Sequence, residues 1–282
     1  MVHTSRSACN IDEYLTNQQP VWLLLLSSLG FFIFLKHSIS LARWLFITFL
    51  RPAKDLERSY GSWGLITGAT DGIGKAFAYQ LAKKGLNAKE EIKGLDVGVL
   101  INNVGVTYPT ASYFHEVDEK VWMNIVRVNL EGTTRVTMAV VPGMLQRKRG
   151  AIVNIGSGAA VVVPSHPLYT IYAATKAYVD KLSRSLYMEY KEYGIDVQIQ
   201  VPLYVATKMV SKVAAIERSS LFIPSADAYA EAAVKRIGYE AQCTPFWAHS
   251  LQRWFARLVP DSLLDAWRLS IGLNRREKLA AI

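Results

Sequence analysis

A glycine-rich turn held between a strand and a helix limits the fold of this chain more than any other feature. Trp63 to Thr67 (WGLIT) has the apolar run of a buried strand, Thr67 to Gly74 reads TGATDGIG, and Ile73 to Lys84 has helical periodicity. In such a unit Gly68 permits a tight turn, Gly72 lets the backbone approach a pyrophosphate, and Gly74 lets helix and strand pack closely. The helix N-terminus adds amide donors and a dipole, so Thr70, Asp71 and Ile73 complete a candidate anion-binding loop. A glycine turn that merely joins strand to helix is the plain alternative, and the strand-loop-helix setting disfavours it.

Downstream the alternation continues. Val97 to Ile101 (VGVLI), Ala151 to Ile155 (AIVNI) and Asp196 to Val201 (DVQIQV) read as strands, with helices over Val121 to Gln146 and Tyr169 to Tyr190. Strands separated by long helices predict an α/β architecture, a doubly wound parallel sheet covered on both faces. Residues 60–210 form this domain. Residues 211–282 form a helical tail, with helices over Asp227 to Gly238 and Leu251 to Leu273, the second broken near Pro260. Trp254, Phe255, Leu258, Leu263, Leu264, Trp267 and Ile271, mixed with Arg253, Arg257 and Arg268, suit either a lid over an apolar site or a helix lying in a membrane interface.

The N-terminal fifty residues have a different character. A polar tail, 1–20, precedes Val21 to Leu35 (VWLLLLSSLGFFIFL), which is apolar and uncharged; Lys36 and His37 interrupt, and Ile39 to Leu50 resumes with Arg43 alone. A span needs about 20 mostly apolar residues, so 21–50 predicts a membrane anchor, built either as one helix continued through Lys36 or as a re-entrant pair. Asp12 and Glu13 precede the apolar core and no small-residue cleavage site follows it, which argues against a signal peptide. Arg43, Arg51, Lys54 and Arg58 follow the anchor and Arg6 precedes it, which places the main domain on the cytosolic side.

The net charge of +9 favours anionic partners, yet the basic residues are dispersed and no base-stacking motif accompanies them, so nucleic-acid binding is excluded. Cys9 and Cys243 lie far apart and match no ligand spacing, which excludes a zinc site and a disulfide framework and fits a reducing compartment.

A tyrosine and a lysine four residues apart share a helix face. Four pairs fit that spacing: Tyr79 with Lys83, Tyr172 with Lys176, Tyr187 with Lys191, and Tyr204 with Lys208. Of these, Tyr172 follows a strand ending in Asn154-Ile-Gly-Ser157, at a distance that lets the Ser157 hydroxyl meet a tyrosine near the next helix's first turns. Ligand crevices of open α/β sheets lie at such strand ends. The other three pairs are expected on solvated helix faces or a loop.

Together TGATDGIG, NNVG (Asn102 to Gly105), Asn129 in VNLEG, Ser157 in NIGSGAA, and Tyr172-Ala-Ala-Thr-Lys176 resemble the short-chain dehydrogenase/reductase family over residues 60 to 210. With the apolar N-terminus, PLYTIYAATKAYVD and QVPLYVATKM, the likeness is narrower: to the very-long-chain 3-oxoacyl-CoA reductases of microsomal fatty-acid elongation, beside 17β-type hydroxysteroid dehydrogenases. The resemblance implies a Rossmann-like sheet, NADP(H) as cofactor, an acyl-CoA or other lipid ketone as substrate, other elongase subunits as partners, and the endoplasmic reticulum membrane as location. It assigns Tyr172 as general acid, Lys176 as the charge that lowers the tyrosine pKa and binds the nicotinamide ribose, and Ser157 as the donor polarising the ketone. Asn129 would hold a relay water, and Asn102 to Gly105 would line the adenosine and support the sheet.

One departure is large. The family pattern places a second strand, a helix, a third strand and a helix between the glycine loop's helix and Asn102; this chain has room for one helix and one strand. The acid that binds the ribose comes about 20 residues after the glycine motif, at the end of its own strand. Glu90, Glu91 and Asp96 stand near that distance, but AKEEIKGL reads as a helix remnant and turn, and these acids are expected to be solvated. The sheet is therefore truncated on one side, with Trp63 to Thr67 as a bare edge. Its helix must change face or form a left-handed crossover, when about 98% of such crossovers are right-handed. Two functions follow: a membrane-bound ketoreductase, or a catalytically silent relative acting as a membrane-bound interaction protein.

Overall fold

The computed structural model describes residues 21–88 and 95–280; the 1–20 tail, Glu90 and Glu91 lie outside the described residues. The chain forms two units, Met1–Arg51 and Pro52–Ile282. In the first, α1 (Val21–Leu45) runs into a π-helical turn, Phe46–Leu50. The helix is continuous through Lys36 and His37, which removes the re-entrant alternative. Its 30 residues are long and apolar enough to cross a membrane, and none is buried in the fold. At about 1.5 Å per residue they exceed a hydrocarbon core of about 30 Å.

The second unit contains α2 (Leu56–Tyr60), β1 (Trp63–Ile66), α3 (Gly72–Lys83), β2 (Asn87–Ala88), β3 (Val97–Asn102), α4 (Glu119–Val126), α5 (Thr133–Arg147), β4 (Gly150–Ile155), α6 (Gly158–Val161), α7 (Thr170–Tyr190), β5 (Ile195–Gln200), α8 (Lys208–Ala214), α9 (Ala226–Val234), β6 (Gln242–Cys243), α10 (Trp247–Ala256) and α11 (Asp261–Ala280). The six strands are all parallel, in the order β2-β1-β3-β4-β5-β6. Alternate residues of the central strands feed opposite cores. Phe77 and Leu81 of α3 and Tyr229 and Ala233 of α9 cover Val99, Ile101 and Val153 on one face. Val140, Val141 and Met144 of α5 cover Leu100, Ile152 and Val197 on the other. This is the Rossmann-like doubly wound arrangement expected from the sequence, and Pro260 separates α10 from α11 as its rigid φ predicts.

Two expectations are corrected. The outer edge of β1 is not bare: Asn87 pairs with Trp63 and Ala88 with Gly64. The α3 helix therefore still leads outward to a parallel strand on the far side of β1 from β3, and the glycine loop keeps its place. A two-residue strand carries no periodicity, so the sequence could not announce it. Second, Asp96 is half-buried and ion-paired, not free in solvent. It pairs with Arg147 at 2.5 Å and Arg149 at 2.6 Å, tying the entry of β3 to the end of α5 and the turn before β4.

Candidate active site

The glycine loop folds as its composition requires. Gly68 has φ +66°, and a Cβ on Gly74 would lie 2.2 Å from the Gly68 carbonyl oxygen, so any side chain there would force α3 off the loop. Thr67, the first residue of the motif, and Asn103, within the Asn102 to Gly105 stretch, fasten the loop from below. The Thr67 hydroxyl accepts from the Asn103 and Val104 amides at 3.0 and 3.1 Å, and the Asn103 side chain donates to the Thr67 and Gly68 carbonyls at 3.2 Å each.

Gly68, Asp71, Gly72, Ile73 and Gly105 line a cleft of about 250 Å³ that also contains Ser157, Tyr172 and Lys176. Asp71 caps α3 without a side-chain capping bond and pairs instead with Lys208 at 3.6 Å. Thr70 is exposed and stands outside this lining. Asn102 is not in the cleft either. Its amide donates to Thr137 and Asn154 at 2.9 and 2.8 Å, and Asn154 donates onward to Ser183, so Asn102 holds the sheet to α5 and α7 and leaves the cleft to Asn103.

Ser157 follows β4 and caps α6, accepting from the Ala159 amide at 3.1 Å. It lines the same cleft as the Tyr172 phenol. Burial raises the Tyr172 pKa, and the nearby Ser157 hydroxyl offsets part of that rise. Lys176, one turn further along α7 and 6% exposed, donates to the Ile155 carbonyl at 2.9 Å. Desolvation lowers its pKa to about 8. The influence that lowers the Tyr172 pKa is thus Ser157, and the ammonium is held at the end of β4.

Asn129 is 1% exposed and sits in a π-helical segment, Arg127–Gly132, between α4 and α5. Its carbonyl accepts from the Val106 amide at 2.8 Å, and its NH₂ donates to the Val106 carbonyl at 2.9 Å and to Thr175 at 3.1 Å. The side chain clamps the loop following Gly105 against α7, close to Lys176. The extra residue of a π turn re-aims a side chain that a regular helix would direct elsewhere.

Ser157 and Tyr172 also line a second cavity of about 820 Å³, largely apolar, walled by α10 and α11 through Phe255, Leu263, Leu264 and Trp267. The reactive pair thus stands in the wall common to a loop-side cleft and a lipid-sized chamber. Tyr204 lies on a loop, one of the two settings expected, but that loop lines this chamber; Tyr187 packs on the α5 core; Tyr79 is solvent-exposed as expected. His249, which no motif marked, is fully buried under the segment carrying Leu203 and Tyr204: its Nδ1 accepts from the Leu203 amide at 3.3 Å and its Nε2 lies 3.0 Å from the Tyr204 carbonyl. Burial lowers its pKa to about 4, which keeps it neutral.

Residues 86–218 match the short chain dehydrogenase family. The match begins after the glycine loop. A very-long-chain 3-oxoacyl-CoA reductase-like protein of Arabidopsis thaliana is 53% identical, with 93% of this chain and 97% of that protein covered. That alignment spans 305 residues, longer than the 282-residue chain itself, so the relative carries residues with no counterpart here. The inactive hydroxysteroid dehydrogenase-like protein 1 of Homo sapiens is 36% identical over 86% of this chain and 85% of its own. A solved 7β-hydroxysteroid dehydrogenase superposes with a TM-score of 0.67 at 17% identity, covering 76% of this chain and 99% of that one, a likeness of fold. The chain belongs to the short-chain dehydrogenase family.

Proposed function

We propose that this chain descends from, and acts as, a membrane-anchored ketoreductase that takes a 3-oxoacyl-CoA to a 3-hydroxyacyl-CoA with NADPH, in very-long-chain fatty-acid elongation at the cytosolic face of the endoplasmic reticulum. The observation that carries this reading is that Ser157 and Tyr172 both stand in the wall shared by the cleft and the apolar chamber. The names of its relatives and the long N-terminal apolar helix support the substrate class and the membrane.

The residues present fit one end of a nicotinamide dinucleotide. Gly68 to Gly74 offer amides to a pyrophosphate, and Lys176 with Tyr172 lines the cleft where a nicotinamide ribose would lie. At the adenosine end they do not fit: among the described residues, only the two-residue β2 stands beyond β1. When bound, the cofactor supplies the hydride. The protein's own residues do the rest. Ser157 and the Tyr172 phenol donate to the ketone oxygen, which orients and polarises it. Tyr172 then gives its proton to that oxygen as negative charge develops. Lys176, held by Ile155, keeps a cation beneath the tyrosine, and the chamber houses the acyl chain out of water. The test is NADPH consumption by the purified full chain with a 3-oxoacyl-CoA; absence of turnover at saturating cofactor would refute it.

A second reading is favoured by one observation, the two-residue β2. A chain that binds the cofactor's adenosine end poorly would persist as a silent membrane protein that keeps contacts with elongase subunits, and the relative named inactive supports it. An NADPH titration separates the two.

A further inference from the structure

The chamber that receives Ser157 and Tyr172 also contains two cations that the reaction does not use. Arg268 and Arg275 stand two turns apart on α11, on one face, and both line the cavity. Arg268 is 7% exposed, and its Nε is buried with no hydrogen-bond partner. Its other nitrogens meet neutral groups, the His166 imidazole and the Tyr204 hydroxyl, and Arg275 donates to the same Tyr204 hydroxyl at 2.9 Å. Burial and the two guanidiniums lower the His166 pKa to about 3, so the imidazole brings no charge of either sign. Among the described residues neither arginine has a carboxylate partner, whereas the adjacent Arg276 pairs with Glu116. Two cations turned into a cavity otherwise walled by Val162, Val163, Val213, Phe255 and Leu264 are expensive to desolvate unless an anion joins them.

We propose that Arg268 and Arg275 form an anion-binding subsite that takes the carboxylate or phosphate headgroup of a long-chain amphiphile, whose tail fills the apolar part of the chamber. Guanidiniums suit both oxyanions through paired N–H donors. Tyr204, whose pKa the two arginines lower against the rise from its burial, adds a hydroxyl to the same headgroup site. The subsite depends on neither the glycine loop nor β2, and it stands whether or not the chain reduces a ketone.

The test is calorimetric titration of the full chain in nonionic detergent with dodecanoate, dodecyl phosphate and dodecanol, which share one tail. At least one of the anions is expected to bind about tenfold or more tighter than the alcohol. Dodecanoate alone would identify the ligand as a carboxylate and dodecyl phosphate alone as a phosphate ester. Arg268→Gln with Arg275→Gln should abolish the preference, and Arg276→Gln, outside the cavity, should retain it. Equal binding of the three ligands by the native chain overturns the proposal, as does a preference that survives the double substitution or disappears in Arg276→Gln. Should the double variant fail to fold, Arg275→Gln alone must reduce the preference, and an unchanged preference in that variant overturns it equally.

Discussion

Asn87 lies in parallel register beside Trp63, Ala88 beside Gly64, and among the described residues no further pairing covers the outer edge of β1. Among those residues, nothing beyond β2 stands where a wall would bury an adenine and fix its ribose. Grafting the strand-helix-strand-helix segment of a complete relative after Ala88 should therefore strengthen NADPH binding by about a hundredfold or more. Several hydrogen bonds of about 0.5–1.5 kcal/mol each supply that factor. A fluorescence titration measures it. Micromolar binding by the native chain would show that the gap matters little.

Tyr172→Phe keeps the ring's packing and removes the hydroxyl that lines the cleft with Ser157. Any ketoreductase turnover should fall about a hundredfold or more with the melting temperature nearly unchanged. The same loss from Tyr187→Phe, whose ring packs on the α5 core, would mean that the proton donor lies elsewhere.

Lys176 supplies a pH test of its own. Its folded pKa, about 8, lies below the usual lysine value because burial disfavours the ammonium. Between about pH 8 and 10.5 the unfolded chain therefore binds more protons than the folded one, and this residue's contribution to stability rises with pH across that window. Below it, both states are protonated and the full burial penalty remains. Denaturant unfolding at pH 7.5 and 9.5 should show native stability gaining on Lys176→Met, by up to about 3 kcal/mol over the whole window. A gap that does not change with pH contradicts the depressed pKa.

Asn129→Ala leaves the Val106 amide and carbonyl without their side-chain partners. Each buried group so stranded costs about 1–3 kcal/mol, so the variant should lose about 2–4 kcal/mol without any cofactor present. Unchanged stability in chemical denaturation would return Asn129 to a role in catalysis alone.

The second unit should bind vesicles by itself. Leu264 of α11 turns inward while Leu263 and Trp267 remain more than half exposed, and Phe255 and Leu258 in and beyond α10 are exposed as well. Residues 52–282 should co-sediment with anionic liposomes; a fully soluble fragment would assign these side chains to the lid alone.

Legibility in the sequence followed the length of each signal. β3 and β4 are fully buried runs and β5 is buried except at Asp196; long helices flank them, and periodicity finds them. Tyr172 could be chosen from four equal spacings because a strand ending in a serine precedes it, and serine and tyrosine line the same two cavities. β2 and β6 are two residues each, too short for any pattern. Asn102 and Asn103 are the same residue type, and only the end of β3 decides that the first enters the core and the second the loop. Tyr204 and His249 come to the site through tertiary packing between segments some forty residues apart, which no local rule contains.

The shortness of β2 also grades the sheet. Backbone groups of β4 are flanked by long strands on both sides, so their amides should exchange with solvent only when the whole domain opens. The backbone of Ile66 follows Gly64 in the outward alternation, where no strand pairs with it among the described residues, and should exchange through small local fluctuations. The glycine loop hangs from that softest strand. A ligand bound to it must first supply the order that a complete neighbour would have provided, so its affinity contains a conformational-entropy charge even where every contact at the loop is intact.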